Sequence, residues 1–227
     1  MRSWLTRLAA AGFALALAVG ASGAGYLYYY AHSPVGEGGS NPVRVPPGSS
    51  FQSVLSTLKE QGWIERRTEM HILGRALGVA ARIHAGEYRF EAGQTPRQIL
   101  RALAEGDVIQ HSVTLPEGWT VDQFLARLRA TDTLDAEELP EGPRDPALLR
   151  LLGLADRFES AEGWLFPETY RFTRGTDARV ILRQAHERMR RKLNAAWGER
   201  RAGLPLASAY QALILASIVE KETAAPE

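Results

Sequence analysis

Val43-Arg-Val-Pro-Pro-Gly-Ser-Ser-Phe-Gln-Ser-Val-Leu55 and Val113-Thr-Leu-Pro-Glu-Gly-Trp-Thr-Val-Asp-Gln-Phe-Leu125 align without a gap. Between them lies a weaker copy, Tyr88-Arg-Phe-Glu-Ala-Gly-Gln-Thr-Pro-Arg-Gln-Ile-Leu100, in which Gly93, Thr95, Ile99 and Leu100 match Gly48, Ser50, Val54 and Leu55. Each copy opens with alternating apolar residues, the period of a half-buried strand, and turns at a glycine. A hydroxyl residue follows, Ser50, Thr95 or Thr120, placed to accept a backbone N–H as the N-cap of a helix. The recurrence predicts strand, turn and capped helix, and hence an α+β fold. One such unit cannot bury its apolar face alone.

Working outward from the first two copies, residues 43–110 are expected to form a small module. Its predicted elements are a strand at 43–45, helices at 50–60 and 68–77, a strand at 87–90 and a helix at 95–104. This βαα arrangement looks like a LysM domain, which implies contact with N-acetylglucosamine-containing glycans or a plain packing role. From the third copy onward, a strand is expected at 111–115 and a helix at 120–130 with Val121, Phe124, Leu125 and Leu128 on its apolar face. Residues 131–146 carry six acids and three prolines and read as a solvated loop. A helix is expected over 176–197, burying Leu182, Ala185, Met189, Leu193 and Ala196.

On the N-terminal side, Leu8 to Tyr30 is a run without charge, long enough to cross a bilayer. Arg2 and Arg7 precede it, which places residues 1–7 in the cytoplasm, and Tyr26, Tyr28, Tyr29 and Tyr30 form an aromatic belt at the far interface. A cleaved signal peptide is the rival reading, since Ala21-Ser-Gly-Ala24 offers small residues at a plausible cut. The apolar run continues past that point and exceeds the usual secretory core, so a retained single-pass helix over 8–30 is expected. Residues 31–42, rich in Gly, Pro and Ser, read as a flexible linker.

The final helix, Ser208 to Thr223, is almost wholly apolar until Glu220-Lys-Glu222. A carboxylate leaving a buried helix near its C-terminus is partly desolvated and faces the negative end of the helix dipole; both effects favour its protonated form. Such an acid can donate a proton near neutral pH. At about 100° per residue, Glu220 and Glu222 point roughly 200° apart, so only one of them faces a given bond. Glu220 shares its stripe with Leu213, Ala216 and Ser217, whose size lets a bulky ligand approach. Glu220 is the expected acid.

Ala216-Ser-Ile-Val-Glu-Lys-Glu-Thr223, taken with Glu162-Gly-Trp-Leu-Phe-Pro-Glu-Thr-Tyr170, resembles the membrane-bound endolytic murein transglycosylases of the MltG (YceG-like) family. The resemblance implies a single N-terminal transmembrane helix, the LysM-like module, and over 111–227 the first part of an α+β catalytic domain. It implies a lyase that cuts nascent peptidoglycan strands between MurNAc and GlcNAc, leaving 1,6-anhydroMurNAc ends and setting glycan strand length. Glu220 falls on the family's catalytic glutamate, and Glu162 and Tyr170 become expected substrate contacts. The aromatics Trp164, Phe166, Tyr170 and Phe172 fit both sugar stacking and core packing, and without the resemblance core packing is the stronger reading. Family members continue beyond residue 227, so the catalytic domain is expected to be incomplete here, which leaves the activity of the chain by itself open.

The expected partners are peptidoglycan glycan strands, with peptidoglycan synthases or divisome proteins beside them, at a bacterial inner (plasma) membrane with the C-terminal part outside the cytoplasm. The rival from another class is a non-catalytic, membrane-anchored peptidoglycan-binding or scaffold protein. A formal net charge of +1 gives no polyanion-binding signal, and nucleic acid is not an expected partner. With no cysteine there is no disulfide or thiolate site, and the five histidines stand without ligand spacing, so neither metal nor cofactor is expected.

Overall fold

The three glycine turns are the frame on which both halves of the molecule are built. In a computed structural model, which describes residues 2–36, 38–39 and 41–223, Gly48, Gly93 and Gly118 all adopt left-handed φ, at 76°, 82° and 75°. That conformation costs a residue with a Cβ and is open to glycine. Each turn delivers the chain into a side-chain cap two residues later. Ser50 Oγ accepts the Ser53 N–H at 3.1 Å. Thr95 and Thr120 close full capping boxes with Gln98 and Gln123, whose side chains accept the Thr95 and Thr120 N–H groups at 2.8 Å. A cap of this kind is worth about 1 kcal/mol to its helix.

The chain divides into two compact units, Met1–Ile109 and Gln110–Glu227. In the first, helix α1 (Arg2–His32) precedes strand β1 (Val43–Val45), α2 (Phe51–Glu60), α3 (Arg67–Ala76), a 3-10 turn (Val79–Ala81), β2 (Gly86–Tyr88) and α4 (Pro96–Glu105). Strands β1 and β2 pair antiparallel with Val43 opposite Tyr88. Their inward residues meet Leu55, Leu58, Met70, Ile99, Leu100 and Leu103 in one fully buried core. The Tyr88 hydroxyl, carried into that core, donates to His84 O at 2.6 Å, and burial pushes its pKa up to about 12.

Residues 11–32 of α1 form a helix long and apolar enough to span a membrane, and its most apolar stretch is not buried by the rest of the chain. Its last turn behaves differently. Leu27, Tyr30 and Ala31, spaced for one helix face, pack into the core of the first unit, with Ala31 buried. The Tyr30 hydroxyl donates to Arg66 O at 3.2 Å; Tyr26 donates to Glu69 Oε1 at 3.2 Å and accepts from the Arg66 guanidinium. Beyond the helix, the Val35 N–H donates to Gln94 O at 2.8 Å, so the segment whose composition predicts a free linker begins against the module. Residues 1, 37, 40 and 224–227 of the expected segments lie outside the described residues, as do the side chains of residues 2–10, 221 and 223.

The second unit runs β3 (His111–Leu115), α5 (Val121–Arg129), β4 (Leu134–Asp135), α6 (Pro146–Leu152), β5 (Glu168–Phe172), β6 (Thr176–Asp177), α7 (Ala178–Gly198) and α8 (Ala209–Thr223). Strands β3 and β5 pair antiparallel from His111 opposite Phe172 to Leu115 opposite Glu168, and β4 pairs parallel with β6. Alternation along both ladders turns Val113, Leu115, Tyr170 and Phe172 inward onto Phe124, Leu125, Leu148 and Leu182. The architecture is α+β, as the repeated units predict.

Two expectations are corrected by the packing. The stretch read as a loop over 131–146 contributes β4 and leads into α6, which the sequence reading missed. Asp145 caps that helix through the Ala147 N–H at 2.7 Å, Pro146 takes its first position, and the Glu141 and Ala147 N–H groups hold the Asp145 carboxyl below the usual carboxylate range. In α7 the buried face is Ala178, Ile181, Leu182, Ala185 and His186, while Met189 and Leu193 are half-buried and Ala196 is exposed. The helix outruns the core that covers its first half.

Candidate active site

On α8, Tyr210, Leu213, Ile214, Ser217 and Glu220 recur at steps of three and four and so share one face. That face lines a cleft of about 380 Å³ in the second unit, whose opposite wall is the turn Pro116–Thr120 with the start of α5. Two glycines stand where the walls meet. A Cβ on Gly118 would stand 3.9 Å from Glu220 Oε1, and one on Gly163, at φ +79°, would stand 3.7 Å from Leu213 Cδ2. The third repeated turn therefore carries the chain up to the carboxylate of Glu220.

Trp119, next to Gly118, lines the cleft with 38% of its surface exposed. Its ring leans on Phe124, 6.3 Å between centroids at 44°. Trp119 was not among the residues singled out by sequence. Its signal lay in the alignment itself, since the other two copies have Ser49 and Gln94, small or polar, where this one has a large aromatic.

Of the sequence-predicted residues, Glu220 and Glu162 both line the cleft. Both Glu162 carboxylate oxygens lie 3.3 Å from Val121 N, so they accept the first N–H of α5, a donor that no turn of the helix can satisfy. Tyr170 lies elsewhere: it is 6% exposed in β5, donates its hydroxyl to Phe166 O at 2.7 Å, and does not line the cleft. Burial, with Glu168 nearby, pushes the Tyr170 phenol up to about 12. Glu168 accepts from Arg188 at 2.6 Å, and neither Glu168 nor Glu222 lines the cleft.

Glu220 itself is exposed, and Ile214, Leu215, Ile218 and Val219 around it are 44% to 54% accessible. The buried helix expected from composition is thus a largely exposed one. Its N-terminal turn is held by an aromatic stack. Tyr210 lies parallel to Trp164 at 5.6 Å, with Phe158 4.8 Å from each. Behind Trp164, His186 is 7% exposed; its Nδ1 donates to Trp164 O at 3.1 Å, and burial lowers its pKa. Among the described residues no group of three or more His, Asp or Glu is placed to hold a metal ion.

The YceG-like family profile matches residues 43–227, four fifths of the chain. The chain belongs to the YceG-like family. The YceG-like region starts at β1 and takes in all three repeated units and the whole cleft. A yceG-like protein of Listeria monocytogenes, known from a 2.6 Å crystal structure, is 21% identical over 70% of this chain and 56% of its own length, with a TM-score of 0.34. This YceG-like chain thus spans little more than half the length of that protein. No curated protein matches it.

Proposed function

We propose that this protein is a membrane-anchored endolytic murein transglycosylase that cuts nascent peptidoglycan strands between MurNAc and GlcNAc. The observation that carries the reading is the position of Glu220, on the cleft-lining stripe of α8 and facing the Gly118 turn, within the region that matches the YceG-like family. Glu220 in its acid form donates a proton to the glycosidic oxygen as the C1–O bond breaks, freeing the GlcNAc hydroxyl. The MurNAc C6 hydroxyl attacks C1 and returns its proton to the Glu220 carboxylate, which closes the 1,6-anhydro ring. No water is consumed. Because the nucleophile belongs to the same sugar, proximity does the work that a hydrolase assigns to a second carboxylate.

Trp119 serves as a platform for a sugar ring on the wall opposite α8, its indole face offering apolar area and its edge remaining wet. Glu162 acts as a positioning residue, holding the start of α5 and with it the Trp119 turn. The apolar α1 anchors the enzyme in a bacterial inner (plasma) membrane, with the catalytic part outside the cytoplasm, and the first unit serves as a LysM-like glycan-contacting module. Glycan strands, and the synthases that make them, are the partners this reading assigns.

The test is incubation of the membrane-embedded protein with uncross-linked glycan strands, followed by mass spectrometry of the ends. Anhydro ends lost in Glu220→Gln are the expected result. Reducing ends would mean a hydrolase, and intact strands that still bind would mean a scaffold.

A further inference from the structure

A second hollow, of about 350 Å³, lies where α1 meets the first unit, and nothing in the proposed chemistry uses it. Its lining includes Tyr26, Tyr29, Tyr30, Ser33, Glu65 and Arg66. Three tyrosines and a carboxylate around one space are the materials of an aromatic cage for an ammonium group, attracted by the ring faces and countered by the acid. A guanidinium in the same wall is the usual partner of a phosphate. Among the described residues its lining holds one Glu and one Arg, charges of both signs, which fits a ligand bearing both signs better than a simple anion.

Position sharpens this chemistry. The hollow sits at the end of the apolar helix Ala11–His32, where tyrosines mark the depth of lipid headgroups. An aromatic belt alone needs no hollow, no acid and no arginine. Here the walls are also fastened before any ligand arrives, by Tyr26 to Glu69, Arg66 to Tyr26 and Tyr30 to the Arg66 carbonyl. A preformed site spares binding the cost of ordering its side chains.

We propose that this hollow binds the headgroup of a zwitterionic phospholipid of the membrane that α1 spans, its phosphate on Arg66 and its ammonium among Tyr26, Tyr29 and Tyr30 with Glu65. The proposal rests on reading α1 as a membrane span and is independent of the cleft.

The test uses the full chain in detergent, offered phosphatidylethanolamine and phosphatidylglycerol in equal amount and weighed by native mass spectrometry. The expected result is one retained phosphatidylethanolamine per chain, favoured about tenfold over phosphatidylglycerol. Glu65→Gln and Tyr29→Ala, which leave the three fastening bonds in place, are expected to reduce that retention severalfold with circular dichroism unchanged. Arg66→Ala is expected to abolish it. No retained lipid, equal retention of both lipids, or undiminished retention in Glu65→Gln would overturn the proposal. Soluble phosphoethanolamine displacing the lipid at millimolar concentration would locate recognition in the headgroup, while failure to displace it would overturn the headgroup assignment. Recovery of the chain from cells in the aqueous fraction would overturn the membrane span and this proposal together, whereas an inserted chain without bound lipid overturns the proposal alone.

Discussion

Glu162 reaches across 41 residues of sequence to Val121, both of its carboxylate oxygens 3.3 Å from the backbone nitrogen that opens α5. A carboxylate at a helix N-terminus accepts an otherwise unmet donor and also favours the positive end of the dipole. Replacing Glu162 with alanine is expected to cost about 1 kcal/mol of stability. It should lower kcat/KM about tenfold by loosening the Trp119 turn. Glu162→Gln keeps an acceptor and should recover most of the stability. Urea unfolding beside anhydro-product assays checks both; full activity in the alanine variant would remove the positioning role.

Glu220→Gln should behave in the opposite way. The side chain is exposed, so unfolding should change by no more than about 0.5 kcal/mol. Loss of the proton donor should slow cleavage by about two to four orders of magnitude. A variant that keeps wild-type turnover would show that the acid lies elsewhere.

Trp119→Ala removes the platform and leaves the core intact, since the ring is partly exposed at the cleft. Kinetics with defined glycan oligomers should show kcat/KM reduced about tenfold. Trp119→Phe should restore part of it. An equal loss in thermal stability would mean that Trp119 packs rather than binds.

His186 gives the second unit an acid-sensitive point. Burial lowers its folded pKa below the ordinary 6.5, so the unfolded chain takes up the proton first as pH falls. Stability should therefore be intact above pH 6.5 and decline as pH drops from there toward the folded value. Urea midpoints measured between pH 7.5 and 5 should fall more steeply for the wild type than for His186→Gln, which keeps a donor for Trp164 O but does not titrate. Parallel slopes would remove His186 from the acid limb.

The repeated strand, turn and cap were legible because each rests on residues adjacent in sequence: Gly48, Gly93 and Gly118, then Ser50, Thr95 and Thr120. The Glu220 stripe was legible for the same reason, since helical spacing puts Leu213 and Ser217 beside it. Other features depended on partners distant in the chain. Nothing near Glu162 in sequence announces Val121, and the acidic, proline-rich run before α6 hides a helix whose cap, Asp145, counts among those acids. Trp119 showed only as a mismatch between copies. Leu27, Tyr30 and Ala31 are apolar enough for lipid, so their sequence could not reveal that they face protein instead.

That last turn of α1 has a bearing on how the molecule comes into being. As the N-terminal helix emerges first during synthesis, it is already in place when β1 to α4 follow, and it offers them a finished surface on which to condense. A fragment begun at Ser33 would be a module with one wall of its core missing, whereas a cut after Ala24 would leave Leu27, Tyr30 and Ala31 with the part they complete. The boundary of the folding unit therefore falls inside the helix that composition assigns to the membrane.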